Sequence, residues 1–208
     1  MTGMTQSSAT GAQSSAAGGD TARRAELLRA LIDYSAEHGL SDVSLRPLAA
    51  AVGSSPRMLL YFFGSKEGLV REVLIRSREH QFELVDQWLQ QATTPAERIE
   101  RLWQWLADPE QAGIERLFFE GYARSLPEDA GAWAGFGAAS ITDWLPVIDR
   151  LLDTTARRSR GGAVMPTFVL ATVRGLLLDL LATRDRRRVG QAFAVLADLI
   201  RTSGRPLR

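Results

Sequence analysis

Apolar residues along this chain recur at helical spacing almost from end to end. Leu27, Leu28, Leu31 and Ile32 share one face and predict a helix over about 22–38, capped by Asp20 or Thr21 and stopped at Gly39. A short apolar helix from Leu45 to Val52 follows, with Ser44 as N-cap. A Gly53-Ser54-Ser55 turn leads to a second short helix, opened by Pro56 and capped by Ser55. From Lys66 the period continues through Leu69, Val70, Val73, Leu74, Leu84, Val85, Trp88 and Leu89, a helix of roughly seven turns. Thr94-Pro95-Ala96-Glu97 combines a capping box with proline at the first helical position. It opens a helix carrying Ile99, Leu102, Trp103 and Leu106. Asp108-Pro109 starts another, with Ile114, Leu117, Phe118 and Tyr122, which ends before Pro127.

Between 128 and 153 the period is weaker. Gly131, Gly135 and Gly137 each disfavour helix by about 1 kcal/mol relative to alanine, yet Trp133, Phe136, Ile141, Trp144, Leu145 and Ile148 keep a broadly helical spacing. Two last helices are expected over about 163–183 and 186–202. Phe168, Leu170, Val173, Leu176, Leu177, Leu180 and Leu181 cover more than one stripe of the first, so it is buried or lies at an interface. The second offers Phe193, Val195, Leu196, Leu199 and Ile200. No strand-period segment bounded by hairpin signals interrupts this series, so the expected fold is all-α.

Two short helices joined by a glycine turn carry the composition of a helix-turn-helix. Winding the second at about 100° per residue puts Leu59, Phe62 and Phe63 on an inner face, with Leu60 at its flank. Arg57, Met58 and Tyr61 fall outside, where a guanidinium, a thioether and a phenol can reach base edges or phosphates. Lys66 sits in the first turn of the next helix against the helix dipole, at a cost of roughly 0.3–1 kcal/mol; a cation presented to phosphate accounts for that placement. Composition adds only limits. The 208 residues carry a formal charge of +1, with 45% hydrophobic and 24% charged residues, so any nucleic-acid contact is local and not polycationic. There is no cysteine, which excludes disulfides and thiol chemistry and fits a reducing, cytoplasmic setting.

The stretch 44–69, SLRPLAAAVGSSPRMLLYFFGSKEGL, resembles the DNA-binding signature of the TetR family of bacterial transcription regulators. That signature reads approximately T-V-R-D-I-A-x-x-A-G-V-S-x-G-T-L-Y-x-Y-F-x-S-K-E-x-L. Arg46, Ala49, Gly53, Ser55, Leu59, Phe63, Ser65, Lys66, Glu67 and Leu69 match it in order and without gaps. Leu60 stands where the family has a phosphate-contacting tyrosine, with Tyr61 beside it. Pro47, Ser54 and Arg57 replace an acidic, an apolar and a small residue respectively. The resemblance implies an N-terminal three-helix head that reads DNA, followed by a C-terminal helical body that binds ligand and dimerises. The corresponding division is a disordered tail 1–19, a head 20–68 and a body 69–208. The candidate DNA-binding residues are Arg46, Ser54, Ser55, Pro56, Arg57, Met58, Tyr61 and Lys66. Arg23 and Arg24 are either close to the DNA backbone or plain solvated arginines.

In the same family the helices after the head enclose an effector pocket, and the final two pair with their copies in a homodimer. Carried over, the pocket candidates are Trp88, Trp103, Phe118, Tyr122, Trp133, Phe136 and Trp144. The interface candidates are Phe168, Val173, Leu177, Leu181, Val195, Leu196 and Leu199. The implied partners are a double-stranded, near-palindromic DNA operator, a second copy of the chain and an apolar or amphipathic small molecule that releases the protein from DNA. The alternative is a TetR-like helical protein that binds ligand or protein but no longer binds DNA specifically, with Leu60 as the feature in its favour. An enzyme is not expected. The only histidines, His38 and His80, lack metal-ligand spacing, and no metal or cofactor is implied. The most apolar stretch, 162–182, is interrupted by Pro166, Arg174 and Asp179, which favours a buried helix over a membrane span. Arg157, Arg158 and Arg160 are expected in a solvated surface connection.

Overall fold

The computed structural model describes residues 9–38, 40, 43–91, 94–153 and 164–203. Among them there is no strand, and the architecture is all-α. The order is α1 (Ala9–His38), α2 (Leu45–Ala51), α3 (Pro56–Phe63), α4 (Lys66–Gln91), α5 (Pro95–Leu106), α6 (Ala112–Arg124), α7 (Phe136–Leu152), α8 (Val164–Thr183) and α9 (Arg186–Ser203). Short 3-10 turns at Pro109–Gln111 and Gly131–Trp133 precede α6 and α7. The expected surface connection with Arg157, Arg158 and Arg160 lies outside the described residues.

Several helix starts follow from capping chemistry, although Ser44, in the N-cap position of α2, makes no side-chain cap hydrogen bond. Thr94 Oγ1 accepts from Glu97 N at 3.3 Å while Glu97 Oε2 accepts from Thr94 N at 3.1 Å, a complete capping box. Asp108 caps the first 3-10 turn by accepting from Glu110 N at 2.9 Å. Gly135, at φ 72°, turns the chain into α7 through a left-handed conformation that a side chain would strain. The start of α1 is different. It begins at Ala9 and passes straight through Asp20 and Thr21, so these residues do not cap it. Residues 9–19 of the expected disordered tail are helical. Extending a formed helix avoids the nucleation cost, and the four alanines of this run favour it while Gly11, Gly18 and Gly19 weaken it.

Two buried cores divide the molecule. The first joins Leu27, Leu28 and Leu31 of α1, Leu48 of α2, Leu59 and Phe63 of α3, and Leu69, Val70, Val73 and Leu74 of α4. It also includes Ile114 and Leu117 of α6, with Trp133 and Phe136 ahead of and at the start of α7. The helix-turn-helix head is therefore packed directly on part of the body. The second core lies among α4, α5, α7, α8 and α9. By length and mean hydropathy α8 could cross a membrane, but Val169, Leu170, Val173 and Leu177 face the second core while Val164, Phe168 and Leu178 are exposed.

Candidate nucleic-acid interface and internal cavity

The turn between α2 and α3 uses Gly53 at φ 62°. Ser55 then caps α3 by accepting from Met58 N at 3.2 Å, with Pro56 in the first turn. Gly64, at φ 75°, closes α3 by donating its N–H to Leu60 O at 2.9 Å. With both ends fixed, the side chains sort cleanly. Leu59 and Phe63 are buried, Phe62 packs at the edge of the first core, and Arg57, Met58 and Tyr61 are exposed. Leu60 is 42% exposed and so belongs to the outer face, not the inner flank. Arg46 is exposed on α2, while Ser54 and Pro56 are half-buried. Lys66 is half-buried at the start of α4 and lines a small cleft toward α6 with Glu67, Glu120 and Arg124.

Two arginines of α1 hold this unit. Arg23 donates to Gly53 O at 3.0 Å and pairs with Glu26. Arg24 pairs with Glu72 of α4 at 2.8 Å and donates to Phe62 O at 3.5 Å, its guanidinium lying 5.3 Å from the Phe63 ring centre. Both are thus structural ties across the head. Tyr61, 66% exposed, donates its hydroxyl hydrogen to Asp20 Oδ2 at 2.9 Å. That hydrogen bond to a carboxylate holds the phenol above its ordinary pKa.

Behind the head, α4, α5, α6, α7 and α8 line a cavity of about 50 Å³ that opens in part to solvent. Leu102, Leu106, Phe118, Phe119, Trp144 and Ile148 give it an apolar wall. Leu74, Ile114 and Phe136 also line it and at the same time belong to the head's core. Its polar groups are Ser77, Arg78 and Gln81 of α4, Glu115 of α6 and Arg174 of α8. Glu115 is only 5% exposed and accepts from Gln81 Nε2 at 3.3 Å. Burial pushes its carboxyl up to about 8, and Arg174 and Gln81 offset that only in part. Arg78 is paired with Asp143 at 3.2 Å. Arg174 donates to Ser140 Oγ at 2.7 Å and lies over the Phe118 and Tyr122 rings. Burial lowers its guanidinium, with Tyr122 and Glu115 opposing that shift.

Of the expected pocket residues, Phe118, Phe136 and Trp144 line this space. Tyr122 lines a neighbouring groove with Ile141, Leu145 and Leu178. Trp103 instead stacks on Phe193 of α9 at 4.7 Å, Trp88 packs at the edge of the second core, and Trp133 is buried in the first against Gly121. The ionisable end of the cavity, Glu115 and Arg174, lies outside the pocket candidates expected from the sequence. The available signal is Arg174, a lone charge in the apolar run of α8; Glu115, next to Arg116, carries none. Of the interface candidates, Phe168, Val195 and Leu199 are exposed and Leu181 is half-buried. Val173, Leu177 and Leu196 are buried within the protomer's own core, so they are not available to a partner. The inner stripes of α8 and α9 are satisfied internally, and only the outer ones remain.

Residues 27–73, which span the head and the start of α4, match the model of the bacterial regulatory proteins of the tetR family. No curated protein matches the chain in sequence. Solved structures share its fold. A candidate transcriptional regulator from Saccharomonospora viridis, in complex with choline, aligns at 19% identity and TM-score 0.67 over 87% of this chain and 96% of that one. The FadR repressor of Thermus thermophilus, in complex with lauroyl-CoA, aligns at 18% identity and TM-score 0.61 over 89% and 96%. A SmeT–triclosan complex aligns at 15% identity and TM-score 0.65 over 90% and 99%.

Proposed function

We propose that this chain, which belongs to the tetR family of bacterial regulatory proteins, is a ligand-responsive repressor acting on DNA in the cytoplasm. The observation that carries the reading is the outer face of α3. Arg57, Met58 and Tyr61 are exposed side by side on a short helix whose opposite face is anchored in a core. Two such faces in a symmetric dimer would enter successive major grooves, so the operator is a near-palindrome. The dimer forms through the apolar residues that α8 and α9 leave exposed, Phe168, Leu178, Val195 and Leu199. The head corresponds to residues 20–68 and the effector and dimerisation body to 69–208. The cavity takes a small apolar or amphipathic effector, as the ligand complexes of the structural relatives suggest by analogy. A differential affinity of about 1–3 kcal/mol between the two arrangements of the head gives a switch of roughly 5–150-fold.

Gel shift with the DNA upstream of the protein's own coding region tests this. Specific, salt-sensitive binding that is lost in Arg57→Ala and Tyr61→Ala, with helicity intact, supports it. Salt-insensitive affinity, or wild-type binding in both variants, sinks it. One observation favours a second reading, a tetR-like protein that has lost specific DNA binding. Leu60 is exposed where the family has its tyrosine, and the adjacent Tyr61 is tied to Asp20.

A further inference from the structure

The charged groups around the cavity do not balance, and the imbalance specifies a ligand. From α4, Arg78 faces the space with its charge matched by Asp143. From α8, Arg174 faces it with no carboxylate at ion-pair distance among the described residues. Its hydrogen bonds go to the Ser140 hydroxyl and carbonyl and to the Tyr122 side chain, and the Phe118 and Tyr122 rings lie against it. Those partners solvate a cation without neutralising it. Ser77 Oγ, on the same wall, is buried without a hydrogen-bond partner. The one acid lining the cavity, Glu115, accepts from the Gln81 amide and acts on the guanidinium only through space, beyond ion-pair distance. An entering cation would meet Arg174, and two of the aromatic faces near it already hold that residue's guanidinium. An entering anion would find an unmatched guanidinium, a free hydroxyl and an apolar wall.

We propose that the cavity is built for an amphipathic monocarboxylate, its head group against Arg174 and Ser77 and its hydrocarbon part among Leu102, Leu106, Trp144 and Ile148. This rests on the reading of the cavity as the effector site. Glu115, held in its neutral form by burial at pH 7, adds no opposing charge and can itself donate to the carboxylate. Arg174, Phe119 and Leu170 also line the outer groove toward α7, so the guanidinium stands on the wall between inner space and surface. A ligand entering from the groove passes it.

The test uses the full chain and three ten-carbon probes of equal tail, decanoate, decanol and decyltrimethylammonium. Each is kept below its micellar range at pH 7, with binding read by calorimetry and by the change in intrinsic tryptophan fluorescence. Decanoate is expected to bind at least about tenfold more tightly than the quaternary ammonium, which is about 1.4 kcal/mol. Arg174→Gln should remove that preference while decanol binding, which reports an intact cavity, is unchanged. Glu115→Gln should retain it. Tighter binding of the ammonium than of decanoate overturns the assignment on the wild-type protein alone, as does binding of none of the three. Decanoate binding that leaves operator affinity unaltered supports the head-group assignment and counts instead against the ligand-controlled switch.

Discussion

The Tyr61 hydroxyl and the Asp20 carboxylate, 41 residues apart in sequence, meet at 2.9 Å on the exposed surface of the head. The phenol that stands beside the family's missing tyrosine is therefore engaged by α1, and a negative charge sits where phosphate would approach. Asp20→Asn removes the charge and weakens the tie. The expected outcome is tighter operator binding, on the order of threefold, measured by fluorescence anisotropy at constant salt. Unchanged affinity in Asp20→Asn would mean that DNA binding does not use Tyr61.

Glu115 makes stability depend on pH. Its carboxyl is raised from 4.5 to about 8 in the folded protein, facing Ser77, Arg78 and Gln81 from α4 and Arg174 from α8. Above the unfolded value the native state holds a proton that the unfolded chain has released. The stabilisation is therefore complete below about pH 4.5 and is lost as pH rises through the folded pKa near 8. Within that window the slope is on the order of −1.4 kcal/mol per pH unit. Urea titrations of the wild type and Glu115→Gln check it; the variant should lose this component of the slope.

Gly121 is a packing position. A Cβ there would come within 2.4 Å of the Trp133 ring, so Gly121→Ala has to displace a buried indole from the first core. The expected cost is about 1–3 kcal/mol, read as a lower denaturant midpoint with a changed tryptophan spectrum. A melt identical to wild type would place Trp133 elsewhere.

At the proposed interface, Val195 is 60% and Leu199 46% exposed on α9. Val195→Glu combined with Leu199→Lys should leave the protomer's helicity unchanged, since surface substitutions cost within about 0.5 kcal/mol each. It should convert a dimer to a monomer by light scattering. A wild-type protein that is already monomeric at micromolar concentration ends this assignment.

Much of this was legible from the order of residues because caps and turns are local. Thr94 with Glu97, Ser55 with Pro56, and Gly53 state their own geometry, and the structure follows them. The start of α1 was not, because a tail of alanine, serine and glycine carries no apolar period to set its limit. The cavity was half legible. Residue type shows that Trp103 and Trp133 are inside, but which neighbour each meets depends on how α5 and α9 or α6 and α7 cross. Trp103 lies on Phe193 and Trp133 on Gly121. Arg23 and Arg24 carried the same ambiguity: only tertiary placement shows that their charges are spent on Gly53 O, Glu26 and Glu72.

Leu74, Ile114 and Phe136 are shared between the head's core and the wall of the cavity. With a common wall, neither site can be altered in isolation. Under the proposed switch, whatever factor an effector subtracts from DNA affinity, bound DNA must subtract from effector affinity, since the two are one coupling free energy read from opposite ends. A molecule that binds the free protein at a given concentration will therefore require more to act on protein already seated on its operator. On that reading, substitutions at Ile114 or Phe136 that retune the ligand would shift the response threshold of the gene together with its basal occupancy.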